Sequence, residues 1–270
     1  MSTRTYPPEL RIDAASVVPQ ITGFITRQVE NSGIPNVVMG LSGGVDSAVV
    51  AALCVRALGA ERVHPFVLPY SSSSEESRLD AEAVAIVLNL RVQSVDISPL
   101  ADPYCLERAA DPVRKGNLLA RLRMIVLFDQ ARAHDALVVG TGNKTETYLG
   151  YCTWYGDSAC SFAPIADLYK SQVWQLAEYL DLPQRVIDKD PTADLWPGQT
   201  DEGELGVEYA DADRILHAIL ERHVAPDRLT DEGFDVVDVQ RVVDTMRRTE
   251  FKRQLPPVAP VQHLISSKAT

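Results

Sequence analysis

The stretch Ser42-Gly43-Gly44-Val45-Asp46-Ser47 gathers hydroxyls, paired glycines and a carboxylate between two apolar segments. Before it runs Val37-Val38-Met39; after it Ala48 to Leu58 repeats alanine, valine and leucine at helical spacing, and Gly59 stops the pattern. The order is therefore strand, glycine turn, helix. Such a turn leaves backbone N–H groups unpaired at the positive end of the helix dipole, and the glycines let an anion come close to the main chain. Gly40, Leu41, Ser42, Gly43, Gly44, Val45, Asp46 and Ser47 together read as a phosphate cradle. The pattern G-x-x-x-x-G-K-[ST] does not apply, because no lysine follows the glycines. An acid stands there, and a carboxylate beside phosphates is repulsive unless a cation lies between them. Asp46 thus reads as a Mg²⁺ ligand at a polyphosphate, the alternative being a plain turn in which Asp46 or Ser42 caps the helix.

A second polar turn, Gly140-Thr141-Gly142-Asn143-Lys144-Thr145-Glu146, follows the buried strand pattern Asp135 to Val139. Thr141 and Glu146 are expected to face the nucleotide from the other side. Glu146 either shares the cation with Asp46 or is a first-turn glutamate favoured by the helix dipole. Lys170 opens the helical pattern Ser171 to Leu180, where a cation is electrostatically misplaced unless an anion is near; it is a candidate phosphate ligand. The Pro/Gly-broken loop Pro191 to Glu202, with Thr192 and Trp196, has the length of a mobile lid. Near the end, Lys252-Arg253 precede a proline-rich tail that is either solvated or reaches over a phosphate site.

These residues need a scaffold. Helical periodicity runs from Asp13 to Asn31, with Asp13 as N-cap and Gly33-Ile34-Pro35 as the stop. His64 to Leu68 and Arg91 to Ile97 read as further strands, and Ser71 to Ser77 as the capped start of another helix. A loose stretch, Ala101 to Lys115, leads into a helix from Asn117 to Ala133 carrying Arg121 and Arg123, and two more helical patterns cover Glu208 to Val224 and Val236 to Arg247. Two positions apart, the arginines face different ways, and a solvated or salt-bridging role is expected of Arg123. Alternating strands and helices predict an α/β fold, a doubly wound, mostly parallel sheet with helices on both faces, whose ligands sit at the carboxyl ends of the strands.

The chain has 270 residues, 46% of them hydrophobic, and a formal charge of −11. That is enough to bury a sizeable core, and no internal repeat or linker stands out, so a single domain spanning 1–270 is expected. The acidic balance argues against nucleic acid or an anionic membrane as partner. Cys54, Cys105, Cys152 and Cys160 lack C-x-x-C spacing, and Cys54 falls among core residues. With no signal-like or membrane-length apolar run, a reduced, cytoplasmic setting is expected.

The S-G-G-V-D-S loop resembles that of the ATP pyrophosphatases, which cleave ATP between the α- and β-phosphates. Taken in order with A-R-L-R-M, G-T-G-N-K-T-E, Y-G-D, L-Y-K, P-T-A-D-L-W-P-G-Q-T-D-E-x-E-L-G and K-R-x-x-P-P, it makes nearly the whole chain similar to the ammonia-dependent NAD synthetases. The resemblance implies an adenine nucleotide alpha hydrolase-like, Rossmann-like fold. It implies adenylation of the deamido-NAD carboxylate by ATP with loss of pyrophosphate, then displacement of AMP by ammonia to give NAD. By position, Gly40 to Ser47, Thr141, Lys170 and Thr192 would contact ATP, with Asp46 and Lys170 carrying the chemistry and Asp46 and Glu146 binding Mg²⁺. Arg121 and Lys252 would face deamido-NAD, and a homodimer would hold the dinucleotide at its interface. No protein nucleophile is needed, because a cation and a lysine can neutralise the charge that develops on the phosphate.

Three positions on the deamido-NAD side depart from the family pattern. Trp154 stands where many members have lysine, Ser161 where they have aspartate and Phe251 where they have histidine. They keep open a ligase of the same fold acting on another carboxylic acid. A non-catalytic nucleotide binder would have no need for both Asp46 and Glu146. No glutaminase domain is expected, because few residues lie outside the synthetase pattern.

Overall fold

Asp13 accepts a hydrogen bond from Ala15 N and starts the first helix, α1 (Ala14–Ser32), which Gly33 closes. The computed structural model describes residues 4–105, 111–192 and 199–261. After α1 the chain forms β1 (Asn36–Gly40), α2 (Val45–Leu58), β2 (Val63–Val67), α3 (Glu75–Val87) and β3 (Gln93–Ser94). Then come α4 (Ser98–Cys105), α5 (Pro112–Ala133), β4 (Ala136–Val138) and α6 (Lys144–Leu149). The later α-helices among the described residues are α7 (Lys170–Tyr179), α8 (Gln184–Asp188), α9 (Asp201–Leu205), α10 (Tyr209–Leu220) and α11 (Val236–Arg248).

Among the described residues the four strands are all parallel, in the order β3-β2-β1-β4. Side chains alternate across this sheet. Val37 and Met39 join a core with Ile25, Leu53, Val173 and Trp174, whereas Val38 points the other way toward Phe66, Leu119, Val126 and Val138. Both faces are covered, as a parallel sheet requires, so the doubly wound α/β expectation holds. Because β1 and β4 are parallel neighbours, the turns after them, carrying Ser42 to Ser47 and Thr141 to Glu146, lie on one edge. A third apolar cluster, including Leu149, Tyr169, Leu216 and Val239, packs α6, α10 and α11 around the start of α7. None of the described helices is long and apolar enough to cross a membrane.

The structure departs from the sequence expectations in several places. Helix α2 begins at Val45, not Ala48, so Asp46 and Ser47 belong to its first turn, where the dipole favours an acid. The strand expected over Arg91 to Ile97 keeps only Gln93 and Ser94; beyond them Val95 N and Ile97 N bond singly to Val67 O and Pro69 O. It is an edge strand with a neighbour on one side, which leaves its pairing free to loosen. The stretch Ala101 to Lys115 is not uniformly loose: α4 runs through Cys105, and Asp111 caps α5 with Pro112 at its first position. Part of the loop Pro191 to Glu202 is helical, since Thr200 caps α9; Trp196 and the rest of 193–198 lie outside the described residues. Arg123, expected to be solvated or salt-bridging, is half-buried and donates from Nε to Leu68 O at 2.9 Å, just past the end of β2.

Candidate active site

The Ser/Gly loop is braced from within. Ser47 Oγ donates to Gly44 O (2.9 Å) and accepts from Ser42 N (3.2 Å), while Ser42 Oγ accepts from Gly44 N (3.2 Å). Leu41 and Val45 turn into the core, so these two contribute main chain to the cradle. The result is a rigid turn whose N–H groups open onto the start of α2, an arrangement suited to an anion.

Three elements bring charges together beside that turn. Asp46 in α2 accepts at Oδ1 from Asn143 Nδ2 (2.9 Å) and at Oδ2 from Lys170 Nζ (2.5 Å). Glu146 in α6 has its Oε1 3.4 Å from the same ammonium. Lys170 is buried at the first position of α7, its Nζ also 5.1 Å from the Tyr209 ring centroid. Burial alone would depress its pKa, but the charges of Asp46 and Glu146 outweigh burial and raise it. Glu146 is pushed above the usual carboxylate range by burial and then by the Asp46 charge, with Lys170 opposing both. Two carboxyl groups thus share one ammonium, with Glu146 holding its proton more tightly than an ordinary carboxylate does. Their hard oxygens suit Mg²⁺, which proteins commonly hold by one or two carboxylates together with substrate phosphates.

Asn143 was not singled out from the sequence, yet it ties the site together. Buried at the N-cap of α6, it accepts from Glu146 N (2.9 Å) and gives its own N–H to Glu146 Oε2 (3.2 Å), while its amide reaches Asp46. Asn-x-x-Glu is a capping box, and that spacing was the available signal. Asp201 and Tyr209 form a further buried layer, with Tyr209 Oη donating to Asp201 Oδ2 (3.1 Å). Thr141 is half-buried in the turn before α6, and Thr192 is half-buried at the last residue before 193–198.

The residues assigned to the dinucleotide side do not all meet. Trp154 stacks on Tyr155 (4.5 Å between centroids) and meets Phe251 edge-on (5.3 Å), and Arg121 donates to Trp154 O (3.1 Å). Lys252 Nζ donates to Gly150 O and Cys152 O, both at 2.7 Å, and so clamps the chain just before Trp154. Ser161 is placed elsewhere: its Oγ accepts from Val138 N (3.1 Å), in an exposed hollow with Ile34, Phe128 and Arg132.

Behind Lys170 lies Asp213 of α10, fully buried and accepting from Thr145 Oγ1 and Ser171 N. Burial pushes its carboxyl up to about 6, against the hydrogen bonds that oppose the shift. The folded value exceeds the unfolded one near 4, so the native state binds the extra proton in between, and stability from this group falls as pH rises from about 4 to 6. Asp213→Asn should flatten that part of the stability curve, the wild-type difference amounting to about 3 kcal/mol. Denaturant unfolding of both proteins from pH 4 to 8 measures it.

Comparison with known proteins adds a second line of argument. Residues 17–256 match a family model described as NAD synthase. The chain belongs to the NAD synthase family. An NH(3)-dependent NAD(+) synthetase from Fusobacterium nucleatum is 41% identical over 255 residues, covering 94% of this chain and 99% of that protein. Among solved structures, an NMN synthetase from Francisella tularensis superposes with a TM-score of 0.82 at 31% identity, over 93% of this chain and all of that one. An NH3-dependent NAD synthetase from Campylobacter jejuni, in complex with nitrate, gives 0.79 at 33% identity, over 92% and 100%. Family membership makes the chain a ligase of the kind that forms C–N bonds, with ATP as the expected co-substrate.

Proposed function

We propose that this protein amidates deamido-NAD with ammonia at the expense of ATP, giving NAD, AMP and pyrophosphate. The observation that carries the reading is the junction of Asp46, Glu146 and Lys170 beside a braced Ser/Gly turn, in a chain that matches NAD synthases over most of its length. A carboxylate and ammonia do not condense at neutral pH, so the acid first needs a leaving group. Its oxygen attacks the α-phosphorus, the bond to the β-phosphate bridging oxygen breaks, and pyrophosphate departs. Ammonia then attacks the acyl carbon, AMP leaves, and nitrogen loses a proton.

The chain's own groups suit these steps by positioning and charge. The N–H groups of Gly43, Val45, Asp46 and Ser47 would hold the phosphates, and the Lys170 ammonium, kept charged by its acidic neighbours, would offset charge on the transferring phosphoryl oxygens. Asp46 and Glu146 would hold Mg²⁺, whose bound form supplies Lewis-acid neutralisation of phosphate oxygens. Thr141 and Thr192 would contact ATP; Arg121, Trp154, Phe251 and Lys252 would face the acid substrate, with Ser161 reaching it only from its separate hollow. Two copies of the chain would form a homodimer with the dinucleotide at their interface. We further propose that residues 1–270 act as one synthetase unit in the cytoplasm, carrying no glutaminase site and taking ammonia as the nitrogen donor.

A second reading takes nicotinate mononucleotide as the acid. The TM-score of 0.82 to an NMN synthetase favours it, as do Trp154 and Phe251 in place of the polar residues expected on the dinucleotide side. One assay separates the two: pyrophosphate release and amide formation with ATP, Mg²⁺ and ammonium, run with each acid in turn. Dependence on deamido-NAD, with NAD matching pyrophosphate, is the expected result. Turnover of the mononucleotide alone would move the assignment to the second reading, and release with neither acid would reject both. Asp46→Asn should lose at least 100-fold in rate in the same assay, through the lost cation site.

A further inference from the structure

Helix α7 has only half of a local cap: Gln172 Oε1 accepts from Tyr169 N (3.0 Å), and no side chain of the preceding residue caps the amides that open the helix. The residue before Lys170 is Tyr169, whose hydroxyl donates to Glu221 Oε1 (2.8 Å) and caps no N–H of the helix. The first two amides of α7 are satisfied from other elements. Lys170 N donates to Thr145 Oγ1 (3.0 Å) and Ser171 N to Asp213 Oδ2 (2.7 Å). The two acceptors are joined, because Thr145 Oγ1 donates its proton to Asp213 Oδ1 at 2.5 Å. Thr145, Lys170, Ser171 and Asp213 are all buried, so water does not compete for these bonds.

Each bond has a directional consequence. A threonine hydroxyl has one proton and two lone pairs. By taking the proton, Asp213 leaves lone pairs for Lys170 N–H, and by accepting from Ser171 N it puts a carboxylate at the positive end of α7. Thr145 is also the residue next to Glu146, one of the two carboxylates that hold the Lys170 ammonium. One hydroxyl therefore sets the distance between the backbone of Lys170 and the turn that carries its partner.

We propose that Asp213, acting through Thr145, is a positioning residue for Lys170: α10 fixes where the lysine's backbone starts, and hence where its ammonium stands between Asp46 and Glu146. Neither Asp213 nor Thr145 has to touch substrate. The role rests on the amide-forming reading for its kinetic readout, and its chemical readout is independent of that reading.

The kinetic test compares Asp213→Asn, Thr145→Val and Thr145→Ser. Asp213→Asn and Thr145→Val should each lower kcat by about 10- to 100-fold, the scale of a small misplacement at a reacting centre. KM for ATP and for the acid should stay within about threefold. Thr145→Ser, which keeps the hydroxyl, should retain near wild-type kcat. The double variant Thr145→Val/Asp213→Asn should be no worse than the poorer single one, because both break one chain of bonds. Amine acylation of Lys170, followed by mass spectrometry without substrates, should rise about tenfold in Asp213→Asn and Thr145→Val and stay low in Thr145→Ser. Loss of thermal stability with unchanged kcat and unchanged acylation would overturn the inference, as would additive effects or equal loss in the serine and valine variants. A wild type inactive on both acids would reject the functional reading, and the acylation pattern would still decide this one.

Discussion

Lys170→Met is expected to lower kcat at saturating substrates by about 10²- to 10³-fold and to destabilise the folded protein by about 3–5 kcal/mol. The two effects share an origin. The ammonium lies 2.5 Å from Asp46 Oδ2 and 3.4 Å from Glu146 Oε1; Lys170 is buried, and the two carboxyl groups are partly exposed. Methionine fills much of the volume but leaves two neighbouring carboxylates without their counter-charge, and a buried uncompensated charge is what makes one-sided removal of an ion pair so damaging. For catalysis, the positive charge that should face the phosphoryl oxygens is gone. A control separates charge from packing. Millimolar Mg²⁺ without nucleotide should raise the melting temperature of Lys170→Met by several degrees more than that of wild type, since a divalent cation can replace the missing ammonium. Activity within tenfold of wild type would remove Lys170 from the chemistry, and an equal Mg²⁺ response would remove the carboxylate pair as a cation site.

Asp46 shows what was legible from sequence and what was not. The strand–glycine–helix order at Val37 to Leu58 is a local pattern, set by hydrophobic spacing and by glycine, and the structure reproduces it with the helix one turn early. Lys170 could be singled out because a cation at a helix start conflicts with the dipole. The sequence reading expected a phosphate to resolve that conflict; in the structure the Asp46 and Glu146 carboxylates do so. The long-range contacts of Asn143 and Asp213 were illegible for a different reason. One joins α6 to α2 and the other joins α10 to α7, across 97 and 42 residues of sequence, and neither contact leaves a periodicity or a spacing to read. The weak strand β3 and the early start of α5 failed at a third level, because an edge strand and a capped helix start are decided by one or two hydrogen bonds that compete with propensity.

Gly43→Ala and Gly44→Ala should behave quite differently, although the two glycines are adjacent in the same loop. Gly43 has a φ of +84°, and a Cβ built on it would stand 2.2 Å from Ser77 O and 3.0 Å from Asp80 Cβ. Ser77 and Asp80 belong to α3, and that helix is not free to retreat, because buried Asp80 holds Arg185 Nε and Lys189 Nζ, each at 2.8 Å. Strain in the left-handed region and a collision with a fixed carbonyl add together, so Gly43→Ala should destabilise the protein by about 3 kcal/mol or more. ATP binding should fall with it, since the loop can relieve the clash only by leaving the position that aims its N–H groups. Gly44 has a φ of −86°, which any residue adopts, and its Cβ would meet Ser42 Oγ at an ordinary 3.4 Å. Gly44→Ala should therefore unfold within about 1 kcal/mol of wild type, yet raise KM for ATP about tenfold, because its methyl stands beside the N–H groups that receive phosphate. Urea unfolding and ATP titration of the two variants test the distinction directly. Equal stability of the pair would mean that the loop does not depend on its packing against α3, and unchanged ATP affinity in Gly44→Ala would move the phosphates away from the start of α2.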